Sequence, residues 1–568
     1  GVYGDKQIRA LIYVASFLPA DQIGPVLTQY ALKRCYITEP GIGMRNEKLG
    51  NACLWVLANF PDGAGVPYLA RILARTKYPK IRKRIDKQLN EAATKAGITR
   101  ADLDEATVPT HDLDRDGKRR IEFADGSATL VASGGQASVE WANANGERVK
   151  SPTKAMKEEK DRIKEIRAEV KELQADLSIQ PQRLQKLYLQ DRSWPAELWR
   201  ERYLEQPLLR GFVQRLVWLV ERDGHAAVAA LPDATGDSLC ALCGEPVTLE
   251  GATIRLWHPM HSDVATIQAW RERLEHLAIT QPFAQAWREV YALTEAERQT
   301  AIYSNRWAAH ILKQSQAMAL ARANGWTVTA RMWVDQPNDE PWHRHLPEYN
   351  LVAEYWVEGA GGDDPETTES LAFLYVNTDR VTFKRTPEGA VDSAQGPGTG
   401  DPIPLEQVPP VVFSEVMRAC DLFTAVASIA ADDGWLDRGQ DASHPSQWSQ
   451  DADRYWREAN TADLVASGQN RRALLERIIP RLAIADRLTL GEKDLIVAGT
   501  RHTYRIHLGS GACSRDGRHI CIVPKTTPAK GKVWLPFEGD RTLSIILSKA
   551  VMLAADDTIT DPIILAQL

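Results

Sequence analysis

Cys240-x-x-Cys243 and His258-x-x-His261 put four zinc-ligand side chains into CALCGEPVTLEGATIRLWHPMH, residues 240–261, with fourteen residues between the pairs. Structural zinc takes four nitrogen or sulfur ligands at tetrahedral positions, and a C-x2-C knuckle supplies two of them from one tight turn. The second half departs from that grammar. Finger histidines sit on a helix roughly three to five residues apart, whereas His258 and His261 enclose only Pro259 and Met260. PVTL and TIRLW read as paired strands about the Glu250-Gly251 turn, so the expectation is reduced cysteines on a hairpin. A zinc-ribbon variant on Cys240, Cys243, His258 and His261 stays as the alternative. No cofactor is expected.

Other motifs weaken on inspection. DLDRDGKRRIEF, residues 112–123, starts like a calcium loop, with Asp112, Asp114 and Asp116 alternating and Gly117 sixth, but its twelfth residue is Phe123 where a bidentate carboxylate is required. An Asp- and Gly-rich turn before a strand accounts for it. GPGTG (396–400) lacks the Lys-Ser or Lys-Thr of a phosphate loop, and LGSG (508–511) is not a nucleophile elbow. WHRH sets His343 and His345 on one side of an extended segment without a third ligand and reads as a surface loop.

Two polar groups in apolar surroundings remain. In FSEVMRACDLF, Glu415, Arg418 and Asp421 recur every three residues, hence on one helix face, as a buried ionic network or a pocket wall. In TRHTYRIHLGSG, Arg501, His502, Arg505 and His507 offer donors suited to an anion along a strand, or a solvated strand face. With His258 these seven form a candidate ligand site. Lys77, Lys80, Arg82, Lys83, Arg84 and Lys87 form a basic patch for phosphates or an acidic partner, with a solvated helix face as the plain reading.

The elements that must position these residues follow from hydrophobic period. Residues 1–108 read as successive helices with short Pro/Gly breaks, which predicts a HEAT-like array. A mixed α+β core follows over 109–464. It comprises hairpins at 109–150, a long helix at 153–178, helices up to 324 (264–277, 282–292 and 295–324 among them) and strands over 325–385. The long helix carries Met156, Ile163, Ile166, Val170, Leu173 and Leu177 as a heptad seam, expected to dock on its own chain rather than on a partner helix. LWRERYLEQPLLRGFVQRLVWLVE reads as helical. WTVTARMWV, YNLVAEYWVEG, ESLAFLYV and RVTFKR read as strands. In RRALLERIIPRLAI, Pro480 should end or kink the helix. A C-terminal domain, 465–568, has strands DLIVAG, TYRIHLG, HICIVP and KVWLP and a closing helix whose Leu543, Ile546, Leu547, Ala550 and Leu553 face the sheet. The fold class is α+β: helical repeats, a mixed core and a small sheet-plus-helix domain.

Lys and Arg number 69 against 75 Asp and Glu, a net charge of −6, so no global field draws in nucleic acid or an anionic membrane. No apolar run approaches the roughly 18 to 20 residues that span a bilayer, and the seven scattered cysteines look like reduced thiols. The expectation is a cytoplasmic protein with no membrane partner. The chain opens on Gly1 rather than Met, and a further segment upstream is expected.

ITQPFAQAWREVYALTEAER, YSNRWAAHILKQSQ, EYWVEGAGG, PPVVFSEVMRACDLF, TYRIHLGSG and LPFEGDRTLSIILSKAVMLAADDTITDP together resemble large bacterial proteins of the MolR-like (molybdate-metabolism-regulator-like) family, from about residue 45 onward. The resemblance implies a core domain of unknown function, 4132, with a C-terminal companion domain. It also implies a His-Pro pair and a QPF phrase, met here by His258-Pro259 and Gln281-Pro282-Phe283, but supplies no catalytic residues. Members often carry a WGR domain, which is absent here. The function expected is a bacterial regulatory or scaffold protein of unknown biochemical activity that binds a protein partner or ligand, a protein partner through the helical repeats. An enzyme or nucleotide sensor, with a pocket between core and C-terminal domain, is the alternative. Nucleic-acid binding through the 77–87 helix is a weaker one.

Overall fold

The front of the chain folds as its apolar spacing dictates. In the computed structural model, which describes residues 4–36, 38–39, 43–76, 78–333, 340–360, 365–386, 396–431, 435, 466–509, 511, 513–516, 518–520, 541–565 and 568, six α-helices of the described residues come first. They are α1 (Asp5–Val14), α2 (Ala20–Tyr30), α3 (Glu47–Ala58), α4 (Val66–Arg75), α5 (Pro79–Ala96) and α6 (Arg100–Ala106). Local chemistry sets their ends. Asn46 caps α3 by accepting from Leu49 N, Thr99 caps α6 through Asp102 N, prolines open α4 and α5, and Gly97 closes α5 at φ +67°. Leu49, Cys53, Leu57, Leu69, Ile72, Ile81 and Ile85 share their core. Gly65 lets α3 and α4 meet, since a Cβ there would lie 1.8 Å from the Leu57 carbonyl oxygen.

The chain divides into two compact units, Gly1–Leu184 with Trp194–Ile254, and Gln185–Ser193 with Arg255–Leu568. In the first, the helices are followed by an antiparallel meander of β1 (Lys118–Phe123), β2 (Gly126–Ser133), β3 (Gln136–Asn143) and β4 (Arg148–Val149). The calcium-loop-like stretch is the turn into β1: Asp114 Oδ1 accepts from the backbone N–H groups of Asp116 and Lys118, and Gly117 takes φ +72°. The long helix α7 (Lys160–Lys186) docks on this sheet, where Met156, Ile163 and Ile166 pack on Phe123, Ala128 and Trp141. The heptad seam therefore closes on its own unit. Beyond it, β5 (Ser193–Pro195), β6 (Trp218–Glu221), β7 (Val228–Pro232), β8 (Leu239–Ala241) and β9 (Thr253–Leu256) form a sheet in the order β8-β7-β6-β9-β5.

Two expectations fail here. LVWLVE ends the aromatic-rich stretch as strand β6 rather than helix, because a short continuous apolar run has no period to tell the two apart. PVTL does not pair with TIRLW: β6 and β5 flank β9, and Pro246, the first residue of PVTL, makes an isolated bridge to Cys240 instead.

The second unit opens its second stretch with α8 (Val264–His276). The predicted helix 282–292 is absent. Gln281 to Thr294 run as turns and extended chain, and the predicted 295–324 helix breaks into Glu295–Thr300, β10 (Tyr303–Ser304), β11 (His310–Lys313) and α9 (Gln314–Ala323). Then come β12 (Trp342–Leu346), β13 (Leu351–Gly359), β14 (Tyr375–Arg385), α10 (Pro410–Ala427) and β15 (Ser428–Ala431), giving the sheet order β12-β13-β14-β11-β15 with β10 also on β14. Val412, Val416, Met417 and Phe423 of α10 share a core with Leu351, Tyr355 and Phe383 of the sheet and Met318 and Ala321 of α9.

Residues 326–333 of WTVTARMWV make isolated bridges instead of a strand, ESLAFLYV contributes only Tyr375 and Val376 to β14, which continues through RVTFKR, and WHRH is edge strand β12 rather than a surface loop. His343 is buried there, its Nδ1 against the Pro341 carbonyl at 3.2 Å. GPGTG serves the sheet: Gly398 N donates to buried Glu354, and a Cβ on Gly398 would meet Lys384 Cβ at 2.4 Å.

The C-terminal part holds α11 (Ala466–Ile478), ending before Pro480, then a meander of β16 (Leu488–Leu490), β17 (Asp494–Ala498), β18 (Thr503–His507), β19 (Cys513–Arg515) and β20 (Arg518–Ile520), and α12 (Arg541–Ala554). Leu543, Ile546, Leu547, Ala550 and Leu553 are all buried, with α12 lying on β17 and β18. Lys77, residues 432–434 and 436–465, Ser510 of LGSG, Cys521 and the KVWLP stretch expected as a strand lie outside the described residues. Among the described residues no helix is long and apolar enough to cross a membrane.

Candidate functional site

The chemistry-bearing residues that converge do so inside the second unit, where α10 meets the irregular segment 281–294. That segment is buried without regular structure, so its polar groups need individual partners. Gln281 Oε1 accepts from Ala286 N (2.9 Å), Gln281 Nε2 donates to Gln285 Oε1 (2.8 Å), and Gln285 Nε2 donates to the Trp257 carbonyl (2.9 Å). This pinned path delivers Arg288, Glu289 and Tyr291 to one face of α10, where Ser414, Glu415, Arg418 and Asp421 stand. Ser414 Oγ accepts from Tyr291 N at 3.0 Å.

Glu415 is the centre. Arg288 grips it with two parallel bonds, Nε to Oε1 and Nη2 to Oε2, both 2.5 Å, and Arg288 is 1% exposed. Such bidentate charge-assisted pairs are the strong ones. His258, fully buried ahead of the short 3-10 turn Pro259–His261, adds a third contact to Oε1 at 3.1 Å. Its tautomer follows from its other nitrogen: Nδ1 accepts from Met260 N at 3.0 Å, so Nε2 carries the proton and donates to Glu415. Tyr188 stands edge-on to the His258 ring (4.8 Å) beneath the Arg288 guanidinium (4.6 Å), and its hydroxyl donates to the Trp257 carbonyl.

Further along α10, Arg418 Nε pairs with Glu289 at 2.8 Å, and the Tyr291 hydroxyl donates to Asp421 Oδ2. Asp421 Oδ1 is buried without a hydrogen-bond partner.

Electrostatics sorts these groups by partner. Burial alone would raise the Glu415 carboxyl, but Arg288 and the His258 hydrogen bond hold it well below the usual carboxylate range. Burial lowers His258 and outweighs Glu415, so the imidazole is neutral. Glu289 is likewise held low against burial by Arg418, whose own value rises for the same reason. Asp421 differs. It has no bonded cation, and burial pushes it up to about 7.

Of the residues expected to form a ligand site, the structure brings together His258, Glu415, Arg418 and Asp421. The other four lie on the C-terminal meander. Arg501 and His502 donate their backbone N–H groups, with Thr500 N and the Tyr504 hydroxyl, to buried Asp556, while the Arg501 side chain is exposed. Arg505 is exposed and reaches Asp494 at 3.7 Å, and half-buried His507 packs beside Gly509. The C-terminal charge that does bear on Asp421 is Arg471 of α11. Sequence reasoning missed Arg288, Glu289, Tyr291 and Tyr188. The readable signal was Arg288-Glu289 inside the apolar AQAWREVYAL.

For the zinc alternative, His258 has no lone pair to offer, because both ring nitrogens are committed within its own unit. Cys240 is half-buried and Cys243 exposed, and among the described residues no three His, Cys, Asp or Glu side chains are grouped to hold a metal ion. In the basic patch, Lys80 pairs with Glu47 at 2.9 Å and Arg82 donates to the Leu73 and Thr76 carbonyls at the end of α4. Lys83, Arg84 and Lys87 are exposed.

His258, the 281–294 segment and α7 fall in residues 146–326, which match the family model "Domain of unknown function (DUF4132)", while α11, the meander and α12 fall in residues 468–568, which match "Domain of unknown function (DUF7737)". Glu415 and Asp421 lie between the two matches. No curated protein and no solved structure matches the chain. The similarity of this chain is thus to two domains of unknown function, one carrying His258 and Arg288 and the other Arg471.

Proposed function

We propose that this is a cytoplasmic regulatory or scaffold protein of the MolR-like kind, which acts by holding a protein partner, with its front helices serving as a HEAT-like binding array. One observation carries the reading: the group of catalytic residue types around Glu415 is spent on itself. A general base needs a free lone pair within reach of substrate. His258 has none, and every Glu415 oxygen is already an acceptor. Around Glu415 the Arg288 and His258 contacts leave no such lone pair, which supports a structural role for this part of the network.

The alternative, an enzyme or nucleotide sensor, draws its support from Asp421 Oδ1, the network's open acceptor. Native mass spectrometry of the chain purified from its own host separates the two. A stoichiometric protein partner, retained by His258→Gln and by Asp421→Asn, is the expected result. A partner-free chain carrying a small molecule that Asp421→Asn loses would replace this reading with the sensor.

A further inference from the structure

In the first unit a groove of about 830 Å³ runs between α7 on one side and α2 with the turn after it on the other. Its rim is cationic: Lys157, Lys160, Lys164, Arg167 and Lys171 on the α7 side and Lys33 opposite, all exposed. Among the described residues none of these six makes an ion pair. The acidic chain as a whole makes this a pattern rather than a composition effect. On α7 the cations at 160, 164, 167 and 171 follow helical spacing and share one stripe, while Glu169 on the opposite side pairs with Arg119 of β1. Like charges three and four residues apart repel, so the empty stripe is a self-repelling face that an anionic partner relieves.

The floor discriminates between polyanions. Leu32, Ile163 and Ala168 line it, and no Trp, Tyr or Phe does. A nucleic-acid strand is usually held by a basic track with aromatic platforms for its bases; an amphipathic helix is held by an apolar floor with complementary charge at the edge. The two sides are tied to each other, because Gln29 Nε2 of α2 donates to the groove-lining carboxylate of Glu172 on α7, and buried Asp176 of α7 further accepts from Arg75 Nη2 (2.6 Å) and pairs with His111 (2.9 Å). At about 1.5 Å per residue the stripe is about 16 Å long, roughly three turns of a partner helix laid beside it.

We propose that this groove docks an acidic amphipathic helix of a partner protein, its carboxylates on the Lys160–Lys171 stripe and its apolar residues on half-buried Leu32 and Ala168. The proposal rests on the partner-binding reading above and names the site and chemistry of that partner.

The test uses the full chain and a labelled helical peptide about 18 residues long, with Glu at i, i+4, i+7 and i+11 and Leu on the adjoining face, read by fluorescence anisotropy. A scrambled peptide of equal composition, a single-stranded oligonucleotide and a duplex are the comparison arms. The expected result is binding that the scrambled isomer weakens by about tenfold or more, that Lys164→Glu/Arg167→Glu/Lys171→Glu weakens by a similar factor, and that a Lys-for-Glu peptide restores on that triple variant. Circular dichroism should be unchanged, since the three side chains are exposed. Equal binding of the scrambled isomer, or tighter binding of either oligonucleotide, overturns the proposal. A triple variant that keeps the host partner found by mass spectrometry also overturns it while leaving the scaffold reading standing; absence of any host partner removes the scaffold reading itself.

Discussion

Arg288→Ala should destabilise the second unit by about 3–5 kcal/mol, the range for leaving a buried charge without its partner. The substitution removes both short bonds to Glu415 and the cation above Tyr188, and the carboxylate keeps only the neutral His258 as donor. Urea denaturation followed by tryptophan fluorescence reads the loss. Arg288→Met/Glu415→Leu should recover most of it, because replacing both members of a buried pair with apolar residues is often nearly neutral. A harmless Arg288→Ala would mean that Glu415 is not the hub of this core.

The same pair has a signature in acid. Glu415 ionises in the folded chain at lower pH than in the unfolded chain, so the folded state resists protonation. Its contribution is fully present above the unfolded value of about 4.3 and is lost as pH falls through the folded one. Arg288→Ala should flatten that limb.

Asp421→Asn should act in the opposite direction and at the other end of the scale. Burial pushes Asp421 up to about 7, so the folded state holds the proton more tightly than the unfolded chain does. Stability from this group is therefore complete below about pH 4 and falls as pH rises towards 7. A folded value near 7 against an unfolded one near 3.9 corresponds to about 4 kcal/mol. Asn cannot ionise and escapes the loss. The stability difference between variant and parent should rise by about that amount from pH 4 to pH 8. A difference independent of pH would place Asp421 beside a cation that neutralises it.

What could be read in advance depended on whether a side chain's partner lay at a fixed spacing. Glu415, Arg418 and Asp421 were legible as one helix face, the Met156–Leu177 seam as self-docking, and the Leu543–Leu553 face as sheet-facing, because each is a periodic property of a single element. The other half of the site was not. AQAWREVYAL has helix-like composition, yet Gln281, Gln285 and Arg288 find better partners for an extended path than a helix would leave them, and tertiary contacts override propensity. The stripe on α7 was hidden for a different reason. Its cations alternate in sequence with Asp161, Glu165 and Glu169, so the local charge averages out until the helix winds them onto separate faces. His343 was misplaced because nothing local marks WHRH as pairing with β13.

On the proposed reading the His258–Glu415–Arg288 group is closed to chemistry. Nitrogen-15 NMR of the histidine side chains in the full chain, taken from pH 5 to pH 8, tests it most directly. His258 should stay neutral throughout as the Nε2–H tautomer, its shifts unmoved while histidine-containing model peptides in the same buffer titrate near about 6.5. A His258 that titrates with them, or that exchanges between tautomers, would contradict it and return the site to the candidates for catalysis.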